Sequence, residues 1–283
     1  YEVVEESIWS AIENVTYNTN NDSEIVFGQR YRREKTRWGY RYFRYDPIKW
    51  RILNIRNGEA LLIADKALDY CSFYSGDKYA IWGKSIVRSW LNGYGVSENT
   101  LSKDFSSNNF FDSAFTEREK SIIKTSVVDG SNNMYSHESN TMDKVFLMSD
   151  YEVGYTNAAF SYGFKKDVFT GDLDDHYWVA SSSESVNREC SCTEYAKNRG
   201  VEIKNNNCNW MLRSIRGVTD STGGWTRTVG YVNTAGSISQ DYFYSSFAIR
   251  PSVTIELSDV ACKPAGIVCS DGTASEIGGE AGT

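Results

Sequence analysis

From residue 210 to residue 253 the chain alternates short apolar or aromatic runs with Gly, Asn, Ser and Thr. Trp210, Met211 and Leu212 are followed by Gly223, Gly224 and Trp225, then by Tyr231 and Val232, and finally by Phe247, Ala248 and Ile249. That rhythm predicts short strands joined by tight turns and marks the stretch as the central sheet. Pro251 lacks a backbone donor, so Arg250 and Pro251 are expected to open the last strand, residues 252–257. Upstream, residues 25–29 begin a strand, and residues 50–55 and 59–64 read as a hairpin around Asn57 and Gly58. Residues 143–149 are continuously apolar at their centre and predict a further buried strand.

Two segments carry helical spacing. Ile86, Val87, Trp90 and Leu91 share one face of a helix over residues 85–92, with Gly93 as its stop. Thr116 and Glu119 form a capping box that opens a second helix, which turns Ile122 and Ile123 inward. At the start of the chain Val4, Ile8, Trp9 and Ile12 predict a short amphipathic helix before an Asn-rich linker that ends near residue 23. Between residues 30 and 44, Arg and Lys interleave with Tyr31, Trp38, Tyr40, Tyr42 and Phe43. This is either a cationic aromatic arm for an anionic partner or a two-stranded ribbon with cross-strand aromatic pairs. After residue 257 the composition turns to Ser, Gly, Ala and Glu, the signature of a linker or stalk. The expected division is therefore residues 1–23, a folded domain over 24–257, and a tail over 258–283.

Composition narrows the function classes. With 19 Tyr, 13 Phe and 8 Trp but 3 Pro, the chain is suited to strands and to an aromatic binding surface. Its formal net charge of -7 argues against nucleic acid as a partner and favours the ribbon reading of residues 30–44. No apolar run approaches the roughly 18 residues of a membrane span, and no apolar signal segment stands at Tyr1. A soluble, already trimmed product without membrane insertion is expected. Six cysteines are placed unevenly: Cys190, Cys192 and Cys208 in one polar insert, Cys262 and Cys269 around a tail loop, and Cys71 by itself. Late, loop-located cysteines suit disulfides made outside the cytoplasm, and Cys262 is expected to pair with Cys269. A zinc knuckle from Cys190, Cys192, Cys208 and His176 competes with that reading, but the usual Cys-x2-Cys pair is missing.

The order of several motifs resembles a known family. Pro47 to Leu53, Leu61 to Lys66, Leu68 to Cys71, Trp82 with Ser85 to Asn92, Phe115 to Lys120, Asp143 to Ser149, Trp210 to Ser214, Val232 to Ile238 and Ile249 to Pro251 follow one another as in an uncharacterised domain family of Gram-positive bacterial surface proteins. That family in turn looks like the C-type-lectin-like fold of formylglycine-generating enzymes and of the variable tropism proteins of diversity-generating retroelements. The resemblance covers about residues 25 to 257. It implies an α+β, C-type-lectin-like domain with short antiparallel strands, two helices and long loops, displayed on the cell surface or secreted. It also implies ligand contacts from the loops around residues 167–176, 213–225 and 240–244.

Tested against those implications, the chemistry points away from catalysis. The prolines of a calcium-dependent sugar site and the Trp-Asn-Asp triplet are absent. Asp172, Asp174 and Asp175 offer hard oxygens for a structural calcium but no full loop pattern, so no cofactor is assigned. His137 and His176 are too few for an iron facial set, and Cys190 and Cys192 are too close in sequence for the formylglycine-type pair. No nucleophile-elbow motif supports a hydrolase, and no catalytic residue is assigned. Neighbouring carboxylates such as Glu5 with Glu6 or Asp174 with Asp175 point to opposite faces of an extended chain, which removes a glycosidase pair.

The binding set is Arg213, Arg216, Trp225, Tyr231, Tyr242, Phe243 and Tyr244, aromatic anchors among Gly and Ser of the kind paratopes use. Closure of a loop-rich core is the competing role for the aromatics. For Arg213 and Arg250 the preferred role is structural, with guanidinium groups bonding loop carbonyls beneath the binding face. The expected function is a non-catalytic extracellular recognition module for a protein, an immunoglobulin among the host candidates, or a glycan. An enzyme of the formylglycine-generating type and a structural stalk or adhesin repeat are the alternatives.

Overall fold

The computed structural model describes residues 2–4, 31–36, 39–44, 48–73, 81–130, 139–150, 152–153, 188–219, 225–257, 267–268 and 274–275. Within them the protein is a mixed α+β structure with mostly antiparallel strands and few, short helices. The predicted strand at residues 25–29, the acidic loop at 172–175, His176, and Cys262 and Cys269 lie outside the described residues.

Glu2–Val4 (β1), Tyr31–Thr36 (β2) and Gly39–Arg44 (β3) form a sheet in the order β1-β3-β2. The basic segment is thus a two-stranded ribbon with a third strand added. Val4, which the sequence places at the start of a helix, is instead in a strand. Consecutive β-branched residues lower helix propensity, and Val3 pairs across from Phe43. Phe43 is fully buried and meets the Tyr195 ring edge-on at 5.3 Å.

Trp50–Arg56 (β4) and Glu59–Ala64 (β5) form the predicted hairpin. Asn57 and Gly58 take φ of 53° and 78°, the positive values that a two-residue turn matched to strand twist requires. Asp69–Ser72 (β6) then leaves for a second sheet. Helix Ile86–Asn92 (α1) is capped by Ser85, whose side chain accepts from the Arg88 N–H, and stops at Gly93 with φ of 72°. Phe110–Ala114 (α2) is capped by Asn109, and Glu117–Ile122 (α3) carries the predicted Thr116–Glu119 capping box. Ile123 is buried as expected, but it belongs to the strand Ile123–Lys124 (β7) that follows the helix.

Ser126–Val128 (β8) pairs with Thr141–Asp143 (β9), and Val145–Phe146 (β10) follows. The single strand expected over 143–149 is therefore interrupted at Lys144. The Asn92 Oδ1 atom accepts from the N–H groups of Lys144 and Val145 at 3.0 and 2.9 Å and takes those donors out of a ladder. A fourth helix, Glu194–Arg199 (α4), lies inside the polar insert that holds Cys190, Cys192 and Cys208. Ile203–Lys204 (β11) and Asn207–Cys208 (β12) then make a small hairpin across Asn205 and Asn206, both at positive φ.

Trp210–Thr219 (β13), Trp225–Val232 (β14), Ile238–Tyr242 (β15), Ser246–Ile249 (β16) and Ser252–Glu256 (β17) complete the core. One sheet runs β10-β17-β5-β4, with β7 also on β17, and the other runs β15-β14-β13-β16-β6. The β13–β16 pair is parallel and the rest are antiparallel. Pro251 sits between β16 and β17, where the chain passes from the second sheet to the first, as its missing donor predicts. Trp210, Phe73, Ile63, Leu91, Leu147, Met148 and Met211 are fully buried among the core residues. In the tail, Ile267–Val268 and Ala274–Ser275 pair as a short ribbon.

Candidate functional site

The link from β15 to β16 builds the most exposed aromatic feature among the described residues. Strand β15 is an edge strand, and β14 and β13 separate it from β16. Residues 243–245 must therefore carry the chain across the sheet. The Ser245 N–H closes a turn on the Tyr242 carbonyl at 2.8 Å, and the Asp241 carboxylate accepts from the Tyr242 N–H at 2.7 Å. The turn sends Phe243 inward and leaves the rings on either side of it outside. Phe243 packs half-buried against the core, while Tyr242 and Tyr244 are 45% and 58% exposed. Their rings stack at 5.1 Å with an interplanar angle of 5°, and Phe243 braces Tyr244 edge-on at 5.7 Å.

The remaining candidates grade inward from that pair. Tyr231 is half-buried and stacks on the buried Phe247 at 4.5 Å, so its ring links the surface to the core. Arg216 pairs in register with Thr228, which in turn faces Tyr242, and Trp225 pairs with Thr219. The side chains of Arg216 and Trp225 lie outside the described set.

Arg213 lies beneath the surface, 2% exposed. Its two terminal nitrogens donate to the two carboxylate oxygens of Glu152, and one of them also donates to the Leu147 carbonyl at 2.7 Å. Its backbone N–H donates to the Met148 carbonyl at 2.9 Å, and Glu152 further accepts from the Ser149 N–H at 2.8 Å. Next to it, the Ser214 hydroxyl donates to Asp150 at 2.7 Å. The guanidinium thus ties β13 to residues 147–152, the structural role preferred for it. Arg250 is fully buried and stands over the Trp210 ring at 5.1 Å. Its Nε donates to the Ala64 carbonyl at 2.8 Å, while Nη1 and Nη2 have no hydrogen-bond partner.

The cysteines converge more than the sequence alone required. Cys71, Cys190, Cys192 and Cys208 are free thiols. The Cys208 N–H donates to the Cys190 carbonyl at 2.8 Å, and Cys192 bridges to Ala67 just before α4. The Cys190 thiol donates to the Ser191 carbonyl at 3.1 Å and to the Asp65 carbonyl at 3.7 Å. Burial pushes the Cys190 thiol up, but the Cys208 hydrogen bond and the Arg250 charge outweigh it and bring the group down to about 7. Among the described residues no group of three or more His, Cys, Asp and Glu side chains is arranged to hold a metal ion; His176, the fourth member of the zinc-knuckle set, lies outside them.

Residues 57–257 match DUF6273, a domain of unknown function. The chain belongs to the DUF6273 family. No curated protein and no solved structure matches it. The DUF6273 stretch holds every candidate side chain, from Cys71 to Tyr244, whereas the β1–β3 ribbon and the tail fall outside it. An uncharacterised family is what the order of motifs implied. No helix among the described residues of this DUF6273 protein is long and apolar enough to cross a membrane.

Proposed function

We propose that this DUF6273 domain is a non-catalytic extracellular recognition module that binds a protein or glycan through the aromatic crossing at residues 242–244. In the same proposal its two-sheet α+β frame is C-type-lectin-like, and the parent protein is displayed or secreted by a Gram-positive bacterium. The observation that carries the reading is the parallel, exposed Tyr242–Tyr244 stack. Two solvent-facing rings held flat on a braced turn have little side-chain freedom left to lose on binding, which is the property of a rigid anchor. A core role does not account for them, because Phe243 between them already supplies the buried contact.

The test is a screen of the 283-residue chain against immobilised glycans and secreted host proteins, with and without calcium, followed by the Tyr242→Ala/Tyr244→Ala variant on any hit. Anchors at an interface centre are worth about 2 kcal/mol or more, so the variant is expected to bind at least ~30-fold more weakly. Its unfolding free energy is expected to fall by no more than about 1.5 kcal/mol, the value of an aromatic pair. Unchanged affinity at this site, or a loss of several kcal/mol of stability, refutes the reading.

A further inference from the structure

Strand β15 leaves one side of its backbone open. Facing residues of an antiparallel pair alternate between exchanging both hydrogen bonds and exchanging none. The Asn233 N–H donates to the Ser237 carbonyl at 2.8 Å, so, counting from that turn, the bonded pairs are Tyr231 with Ser239 and Val229 with Asp241. Ile238, Gln240 and Tyr242 fall between them and turn their backbone groups away from β14. Tyr242 agrees with that phase: its N–H donates to the Asp241 carboxylate, and its carbonyl accepts from the Ser245 N–H. Ile238 and Gln240 therefore each present an N–H and a carbonyl at the sheet edge, where no described residue bonds them.

An open edge is ordinarily blunted by Lys, Pro or a bulge. Strand β15 reads Ile-Ser-Gln-Asp-Tyr and keeps an unbroken register with β14, so it carries none of these devices. It runs directly into the exposed Tyr242–Tyr244 stack. Its single charged side chain is Asp241, whose carboxylate bonds only the Tyr242 N–H among the described residues. A carboxylate without a cation, set beside exposed rings, suits Lys or Arg, which pair with the first and lie over the second. The formal net charge of -7 adds a long-range preference of the same sign. A second copy of this chain would bring that negative charge and another Asp241 to the edge, so charge favours a different, basic occupant.

We propose that an extended, basic peptide segment of a partner protein adds to β15 as a further strand of that sheet. Its backbone bonds Ile238 and Gln240, and its Lys or Arg side chains meet Asp241 and the tyrosine rings. The inference rests on residues 242–244 being a binding surface and narrows the partner to one class. In strand addition the main chain supplies affinity and alternate side chains supply selectivity, so the partner's bonded amides fall on every second residue.

The experiment selects a displayed library of random peptides, about ten residues long, on the full immobilised chain and measures the enriched peptides by fluorescence anisotropy. Enriched sequences are expected to be rich in Lys and Arg. A single N-methyl group on alternate peptide residues is expected to weaken binding by at least ~10-fold, and on the residues between them to cost little. The Ile238 and Gln240 amides are expected to gain hydrogen-exchange protection on binding. Gln240→Pro removes one outward donor at a place where an edge strand tolerates Pro, and it is expected to lose at least ~10-fold; Asp241→Asn is expected to lose about fivefold. No enrichment, enrichment without positive charge, or insensitivity to N-methylation at every position overturns the proposal, as does a concentration-dependent dimer that Gln240→Pro dissolves. A peptide lost in Gln240→Pro but kept in Tyr242→Ala/Tyr244→Ala supports the edge and refutes the aromatic anchor. A glycan that needs both tyrosines, with no peptide bound, does the reverse. The N-methyl series uses the unmodified chain, so a variant that fails to fold does not blunt it.

Discussion

Glu152→Gln is the sharpest single perturbation of the scaffold, because it removes one charge and almost no volume. The Glu152 carboxylate, 10% exposed at its side chain, faces both terminal nitrogens of Arg213, 3% exposed, and also takes the Ser149 N–H. Gln keeps one acceptor oxygen but turns an amide N–H toward the guanidinium, leaving a buried cation without its anion. Breaking a buried pair from one side costs about 3–5 kcal/mol, and the Leu147 carbonyl at 2.7 Å, which still accepts from Arg213, sets the expectation near the lower end. For a folded unit of this size that is roughly 6–12 °C in Tm. The assay is urea unfolding followed by tryptophan fluorescence, with the free energy taken by linear extrapolation. The companion Arg213→Met/Glu152→Leu variant removes both charges and is expected to recover most of the loss, short of the roughly 1 kcal/mol left by the orphaned Ser149 N–H. A loss below about 1 kcal/mol for Glu152→Gln refutes the claim that Arg213 is committed to the interior and returns it to the candidates for ligand contact.

Two further outcomes test the local reasoning. Gly93→Ala places a Cβ 2.7 Å from Nδ2 of Asn109, the cap of α2, in a backbone at φ of 72°, so a loss of about 1–3 kcal/mol is expected by the same urea assay; an unchanged midpoint would show that Asn109 yields freely. Thiolate absorbance near 240 nm is expected to show one component with a midpoint about 7, below the ~8.5 of an ordinary cysteine, which disappears in Cys190→Ser and moves upward in Arg250→Met. A lowered value means the thiolate appears at lower pH, and removing the cation must raise it; a component that stays put in Arg250→Met contradicts the pairing.

What the sequence made legible was local. Asn57 with Gly58, Ser85 with Gly93, and Thr116 with Glu119 each complete their hydrogen bonds or turn within a few residues, so spacing alone announces them. The same signals were present for α4, with Thr193 as cap and Gly200 at φ of 117° as stop, and for the Asn205–Asn206 turn. The surrounding polar, glycine-punctuated stretch concealed them. Partnerships across the chain were not legible. Asn92 interrupts a strand more than fifty residues away, and β17 inserts between β5 on one side and β7 with β10 on the other. Neither follows from any window of sequence, because each is decided by which donor is left over once the sheets assemble.

The two candidate sites divide along the same line. At residues 242–244 the turn closed by Ser245 on Tyr242 leaves Tyr242 and Tyr244 outside and Phe243 against the core, so the sequence could nominate the set but not say which ring faces solvent until the link from β15 to β16 was known. At the thiols, proximity in sequence gathered Cys190, Cys192 and Cys208, yet the positive charge that acts on Cys190 comes from Arg250, forty-two positions beyond Cys208. Its reading from sequence as a bonder of carbonyls held for one nitrogen, toward Ala64, and left two nitrogens over. A buried cation with unused donors therefore says more about Cys190 than the cysteine spacing does, because its charge favours the ionised sulfur there whereas spacing treats the three cysteines alike.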